Sequence, residues 1–114
     1  MGLKERVRIL DDAERPEMIP FPRYIKLGGH TIKVLRVPDL IKEHSAFGVW
    51  DENSLSISVD SGLSTSLAWE TLLHECIEGI NSHAELNLEH HKIQCLGLLL
   101  HQALCSMLER GQKG

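Results

Sequence analysis

At Ser61-Gly62 the spacing of apolar residues changes, and that change constrains the fold more than any other feature. Upstream the apolar residues tend to alternate with polar ones, the period of a strand. Downstream they recur every third or fourth residue, the period of a helix. Tyr24 to Leu27 reads as a short strand, and Gly28-Gly29 as the turn of a hairpin. Thr31 to Val37 is the second strand, ended by Pro38. Residues 39–46 form a loop or a short helical turn. Phe47 to Trp50 is a third short strand, and Asp51-Glu52-Asn53 has turn chemistry. Leu55-Ser56-Ile57-Ser58-Val59 alternates cleanly, which predicts one buried face and one wet face. Past Gly62, Ser64 or Ser66 caps a helix running to about Ser82. A second helix starts near Leu88 and fades at Gly111. Strands first and helices after predict an α+β domain: a small antiparallel sheet of three to four strands followed by two packed helices.

The 114 residues suit a single domain, placed at 21–110. Residues 1–20 are polar and charged and run into Pro16, Pro20 and Pro22, so they read as a flexible arm. The first residues lack the apolar stretch of a signal peptide, and no apolar run approaches the ~18 residues of a membrane span. A cytoplasmic protein without a membrane partner is expected. The net charge is −4, and it is unevenly spread. Residues 1–50 hold nine of the twelve Lys/Arg against seven acids, and the remainder holds three against nine. An acidic second half argues against a nucleic-acid partner, because phosphate contacts need clustered cations. Cys76, Cys95 and Cys105 are odd in number and fall in helical segments, so buried free thiols are expected.

Five of the seven histidines lie between His74 and His101. On a helical wheel, Trp69, Leu72, Leu73, Cys76 and Ile80 gather on one side of the first helix. Thr71, His74, Glu78 and Asn81 gather on the other. His74 and Glu78 are i and i+4, so they project from neighbouring turns of one face and can converge on one ion. Glu75 stands about 100° round the axis, beside such an ion, and suits holding a water. Set against this, His and Glu at this spacing on a surface helix are about as often simply solvated.

In the second helix, Ile93, Leu96, Leu100, Ala103, Leu104 and Met107 form the expected buried stripe. His90, Gln94, Gly97 and His101 form a polar edge along it. His90, near the helix start, suits a third ligand arriving from the opposing helix, and a core-edge histidine with one hydrogen bond explains it as well. His91 points away from the stripe. His101 lies ~16 Å along the axis from His90, too far to share its ion, and reads as packing or rim. His83 and His91 read as solvated, His30 and His44 as isolated surface or loop residues. His91/Cys95 and His101/Cys105 have ligand spacing too, but nothing else soft converges on either pair.

The segment Glu70-Thr71-Leu72-Leu73-His74-Glu75-Cys76-Ile77-Glu78 resembles the small metallopeptidase-like proteins of phages and prophages, distant relatives of the ImmA/IrrE zincins. The resemblance covers roughly residues 24–108. It takes in the Gly-His-Thr hairpin, the Leu-Ser-Ile-Ser-Val-Asp strand, the Leu-Leu-His-Glu helix and a closing apolar helix. It implies one zinc ion on His74, Glu78 and His90, with Glu75 as the catalytic general base of a peptidase acting on a peptide or protein. A bacterial host cytoplasm is the setting implied. The chain departs from the zincin pattern H-E-x-x-H with a downstream Glu: Glu78 stands at the second ligand position and a histidine downstream. The set of two histidines and one carboxylate is preserved. A strand edge around Ser54 to Val59 would align the peptide by β-addition. Other readings are a non-catalytic binding or regulatory module stabilised by its metal, and a metal-free interaction protein. A magnesium-dependent nucleotide pyrophosphohydrolase built on Glu75-x-x-Glu78 would need an all-helical chain and a second acidic pair.

Overall fold

The computed structural model describes residues 20–108. The arm expected at 1–20 lies outside the described residues except for Pro20. Seven elements follow: β1 (Tyr24–Leu27), β2 (His30–Val37), α1 (Leu40–His44), β3 (Gly48–Asp51), β4 (Ser56–Asp60), α2 (Thr65–Ala84) and α3 (His90–Met107). The chain is α+β, a four-stranded sheet followed by two packed helices.

Gly28 and Gly29 make the hairpin turn with φ of 56° and 82°. A left-handed pair suits the two-residue loop that joins Leu27 to its partner His30. The sheet order is β1-β2-β4-β3. The expectation of an antiparallel sheet fails at its centre, where β2 and β4 run parallel, Val34 opposite Ile57. The cause is α1, the short helical alternative for residues 39–46. It turns the chain so that β3 forms the outer edge, and β4 comes back antiparallel to β3 in the gap beside β2. A carboxylate holds that turn. Asp60, buried, accepts the Ile41 and Gly62 backbone N–H groups at 3.1 and 2.7 Å, and these bonds lower its pKa.

As an interior strand, β4 has no wet face: Ser56 is buried along with Ile57 and Val59. Nor does its backbone offer a free edge around residues 54–59. The free edges belong to β1 and β3. Phe47 C=O accepts from Asp60 N–H, which fixes the phase of the β3/β4 ladder. Gly48 and Trp50 therefore point their backbone groups away from β4, out of the sheet.

α2 starts at the expected cap, where the Ser64 hydroxyl accepts the Leu67 N–H at 3.3 Å. It packs on β3 and β4, and α3 packs on α2. The core is Ile32, Val34, Ile57 and Val59 from the sheet with Ala68 and Leu72 from α2. No helix among the described residues is long and apolar enough to cross a membrane.

The buried lines of both helices are rotated from the expected ones. In α2 the buried residues are Ala68, Thr71, Leu72, Glu75 and Gly79, while Ile80 is exposed. In α3 they are Ile93, Gly97 and His101, while Leu96, Leu100, Leu104 and Met107 are exposed. Close backbone approach explains both. A Cβ on Gly79 would come within 3.0 Å of the Trp50 ring, and one on Gly97 within 3.2 Å of His74 Cα. Only a glycine line lets the elements meet this closely, and that contact sets the helical phase.

Candidate metal centre

The α2–α3 contact brings three sequence-selected residues together. His74 Nε2 lies 3.4 Å from Glu78 Oε2, and His90 Nδ1 lies 3.3 Å from the same oxygen. One ligand atom from each residue lies within 4.8 Å of the others. The His74 and His90 rings meet edge to face at 5.3 Å between centroids. Zinc–nitrogen bonds of about 2.0–2.1 Å in tetrahedral geometry set neighbouring ligand atoms about 3.3–3.4 Å apart. Two edges of the triangle already have that length. Two imidazoles and one carboxylate are also a zinc donor set, so the residues present fit the ion. The same 3.3 Å contact is a His90–Glu78 hydrogen bond.

The loop between the helices decides where His90 falls. Asn81 spans it with both ends of its side chain: Oδ1 accepts the Leu88 N–H at 2.8 Å and Nδ2 donates to Leu88 C=O at 3.4 Å. α3 then opens at His90 itself, with Glu89 in the N-cap position but making no side-chain capping hydrogen bond. His91 is turned away, 3.9 Å from the Glu89 carboxylate. The side chain of His74 is 19% exposed, that of Glu78 28% and that of His90 70%. The site is thus closed on the α2 side and open at His90.

Glu75 lies on the sheet side of this group, 8% exposed, with Oε2 3.9 Å from His74 Nε2. Burial, and then the neighbouring Glu78 carboxylate, raise its pKa to about 7, against a smaller opposing effect of the Trp50 backbone N–H that it accepts. That N–H is one of the outward-pointing groups of the β3 edge, so Glu75 is tied to the free edge strand. Gly48 makes room for it. A Cβ there would lie 2.6 Å from Thr71 Cγ2 and 3.1 Å from Glu75 Cγ.

The remaining residues depart from expectation in two places. Cys95 is exposed, and Cys76 and Cys105 are half-buried, so the thiols are free but not all enclosed. Burial pushes the Cys76 thiol up to about 11. Cys105 Sγ lies 3.4 Å from His101 Nε2, a local contact of the buried His101. His30 is not isolated: its ring meets that of His83 edge to face at 5.6 Å. The helical wheels left Asn81 and Gly97 without a role, and the strand reading did the same for Gly48. Asn81 was visible as the next residue along the His74/Glu78 side, and Gly97 as a glycine inside an apolar helix. Nothing local marks Gly48, whose importance comes from α2 lying over it.

Comparison of the chain with protein-family models, with curated proteins and with solved structures returns no match.

Proposed function

We propose that this chain is a zinc-dependent peptidase, holding one ion on His74, Glu78 and His90 with Glu75 as general base. The observation that carries the reading is the triangle of ligand atoms, two of whose edges have zinc-ligand length. Bound zinc supplies an acidified water and a polarised carbonyl. Glu75 stands next to the triangle without belonging to it. It takes the proton from the attacking water and later hands it to the departing amine. The exposed side at His90 leaves room for substrate. The outward backbone groups of Gly48 and the Trp50 carbonyl, on the edge strand beside Glu75, align an extended peptide by strand addition. The similarity of the His74-Glu75-x-x-Glu78 helix to the phage and prophage metallopeptidase-like proteins supports the same activity, in a bacterial cytoplasm.

A second reading is a metal that only braces the fold. It is favoured by the way the triangle ties α3 to α2, because among the described residues α3 otherwise buries only Ile93, Gly97 and His101. Glu75→Gln separates the two. A peptidase variant retains zinc and loses hydrolysis of a peptide library. If zinc is lost as well, Glu75 is a ligand and its assigned role is wrong. If neither wild type nor variant cleaves any peptide while both retain zinc, the bracing role stands.

A further inference from the structure

The free edge beside Glu75 carries an inference about substrate, which rests on the peptidase reading above. β3 and α2 lie side by side. Gly48 meets Thr71 and Glu75, the Trp50 ring meets Gly79, and Glu52 meets Ser82. Glu52 therefore stands at one end of the groove between the β3 edge and α2. It lies on the α2 side of the sheet, because its Oε1 accepts the Ser82 hydroxyl and, at 3.4 Å, the Trp50 Nε1–H. Its Oε2 makes no hydrogen bond among the described residues. Asp51, by contrast, belongs to the turn, where its Oδ1 accepts the Asn53 N–H at 3.0 Å. The bonds from Ser82 and then Trp50 lower the Glu52 pKa, so the group is charged at neutral pH. Between Lys42 and Lys92 the chain has nine carboxylates and no lysine or arginine. That stretch builds β3, β4, α2 and the approach to α3.

We infer that the groove takes basic peptides, with Glu52 selecting a lysine or arginine two residues from the cleaved bond. Glu75 is tied to Trp50, two residues before Glu52. At about 3.3 Å per residue that is roughly 7 Å along the strand. In a peptide added to β3, side chains two residues apart lie on one face. A side chain two places from the residue beside Glu75 is thus presented to Glu52 on the α2 side. A long cationic side chain reaches the free Oε2 there, and no lysine or arginine of the stretch competes for it. The same carboxylates repel an acidic peptide.

The test uses the zinc-loaded full chain and matched extended peptides in which Lys, Ala or Glu is placed at each position in turn. At low salt, kcat/KM is expected to be about fivefold higher with Lys two residues from the cleaved bond than with Ala, the most that an exposed ion pair gives, and lower still with Glu. The Lys advantage should vanish in Glu52→Gln, whose amide oxygen can still accept from Ser82 and Trp50, and pass to Glu in Glu52→Lys. Glu43→Gln, which removes a charge of the same stretch on α1, should retain it. Fluorescence anisotropy of the peptides on zinc-loaded Glu75→Gln separates recognition from hydrolysis. If the wild type cleaves nothing, yet this variant binds the Lys peptides best and Glu52→Gln removes that preference, basic recognition stands and the peptidase reading fails. Cleavage without preference for Lys, or a preference that survives Glu52→Gln, overturns the inference and leaves the peptidase reading intact. So does a preference lost equally in Glu43→Gln, which would be an effect of net charge alone. Binding of no peptide overturns both.

Discussion

α2 and α3 are similar in length and hydrophobicity, yet they are used in opposite ways. α2 is covered on two sides, by the sheet and by α3, and polar residues lie on its buried line: Thr71 and Glu75. Among the described residues α3 is covered on one side only, and leucines lie on its exposed surface. Both helices make a close contact through glycine, at Gly79 against Trp50 and at Gly97 against His74. Apolar periodicity shows that a helix has a packing arc. The small residue, by allowing the closest approach, selects the line within the arc. The difference also separates duties. The doubly covered helix can hold a carboxylate out of water beside two histidines, and the singly covered one leaves leucines at its surface.

Substitutions sharpen this contrast. The largest effect belongs to the core side of α2. Leu72 is 2% exposed, and Leu72→Ala is expected to lower unfolding free energy by about 2–5 kcal/mol in urea titration. A loss under about 1 kcal/mol would mean that the α2–sheet layer is not the core.

Next comes the buried carboxylate, measured in metal-free protein. The pKa of Glu75 is raised in the fold from its ordinary 4.5 to about 7. The folded state therefore holds its proton to higher pH than the unfolded chain. The stabilisation is fully present below pH 4.5, falls as pH rises through 7, and is gone above it. Glu75→Gln should thus be more stable than wild type at pH 8, by up to about 3 kcal/mol, and equal to it near pH 4. Equal stability at both pH values would show that Glu75 reaches solvent.

Gly48→Ala follows at about 1–3 kcal/mol, from overpacking against Thr71 and the Ser58 carbonyl. Because the added methyl pushes α2 at the turn holding Glu75, its zinc affinity should fall as well. A fully tolerated alanine would show that β3 and α2 are further apart than described. The smallest effect is on the outer face of α3, where Leu98→Gln should change stability by less than about 0.5 kcal/mol. A larger loss would mean that the open flank of α3 is covered.

Much of the architecture was legible in the sequence because it rests on local signals. Ser64 marks the start of α2, Gly28-Gly29 the hairpin, and alternation the strand Ser56–Asp60. His74 and Glu78 were legible because a single helical turn brings them together. His90 was legible through helical phase, although its position depends on Asn81 gripping Leu88 across the loop. What was illegible is non-local. The parallel pairing of β2 with β4 depends on where α1 sends the chain, and that moved the free edge from residues 54–59 to β3. The buried lines of the helices depend on glycine contacts with elements distant in sequence, so the leucine stripe of α3 looked like core. Burial of Glu75 follows from Gly48, about thirty residues earlier.

Zinc titration of the metal-free protein, followed by calorimetry, tests the centre most directly when wild type is compared with His90→Ala and His91→Ala. Two histidines adjacent in sequence, equally exposed at 70%, differ only in which one approaches Glu78. The expected result is one zinc per wild-type chain, unchanged affinity in His91→Ala, and a loss beyond about 100-fold in His90→Ala, since even supporting residues of metal sites cost about 10–100-fold. Loss in His91→Ala with His90→Ala unaffected, or no zinc bound by the wild type, would contradict a centre built on His74, Glu78 and His90.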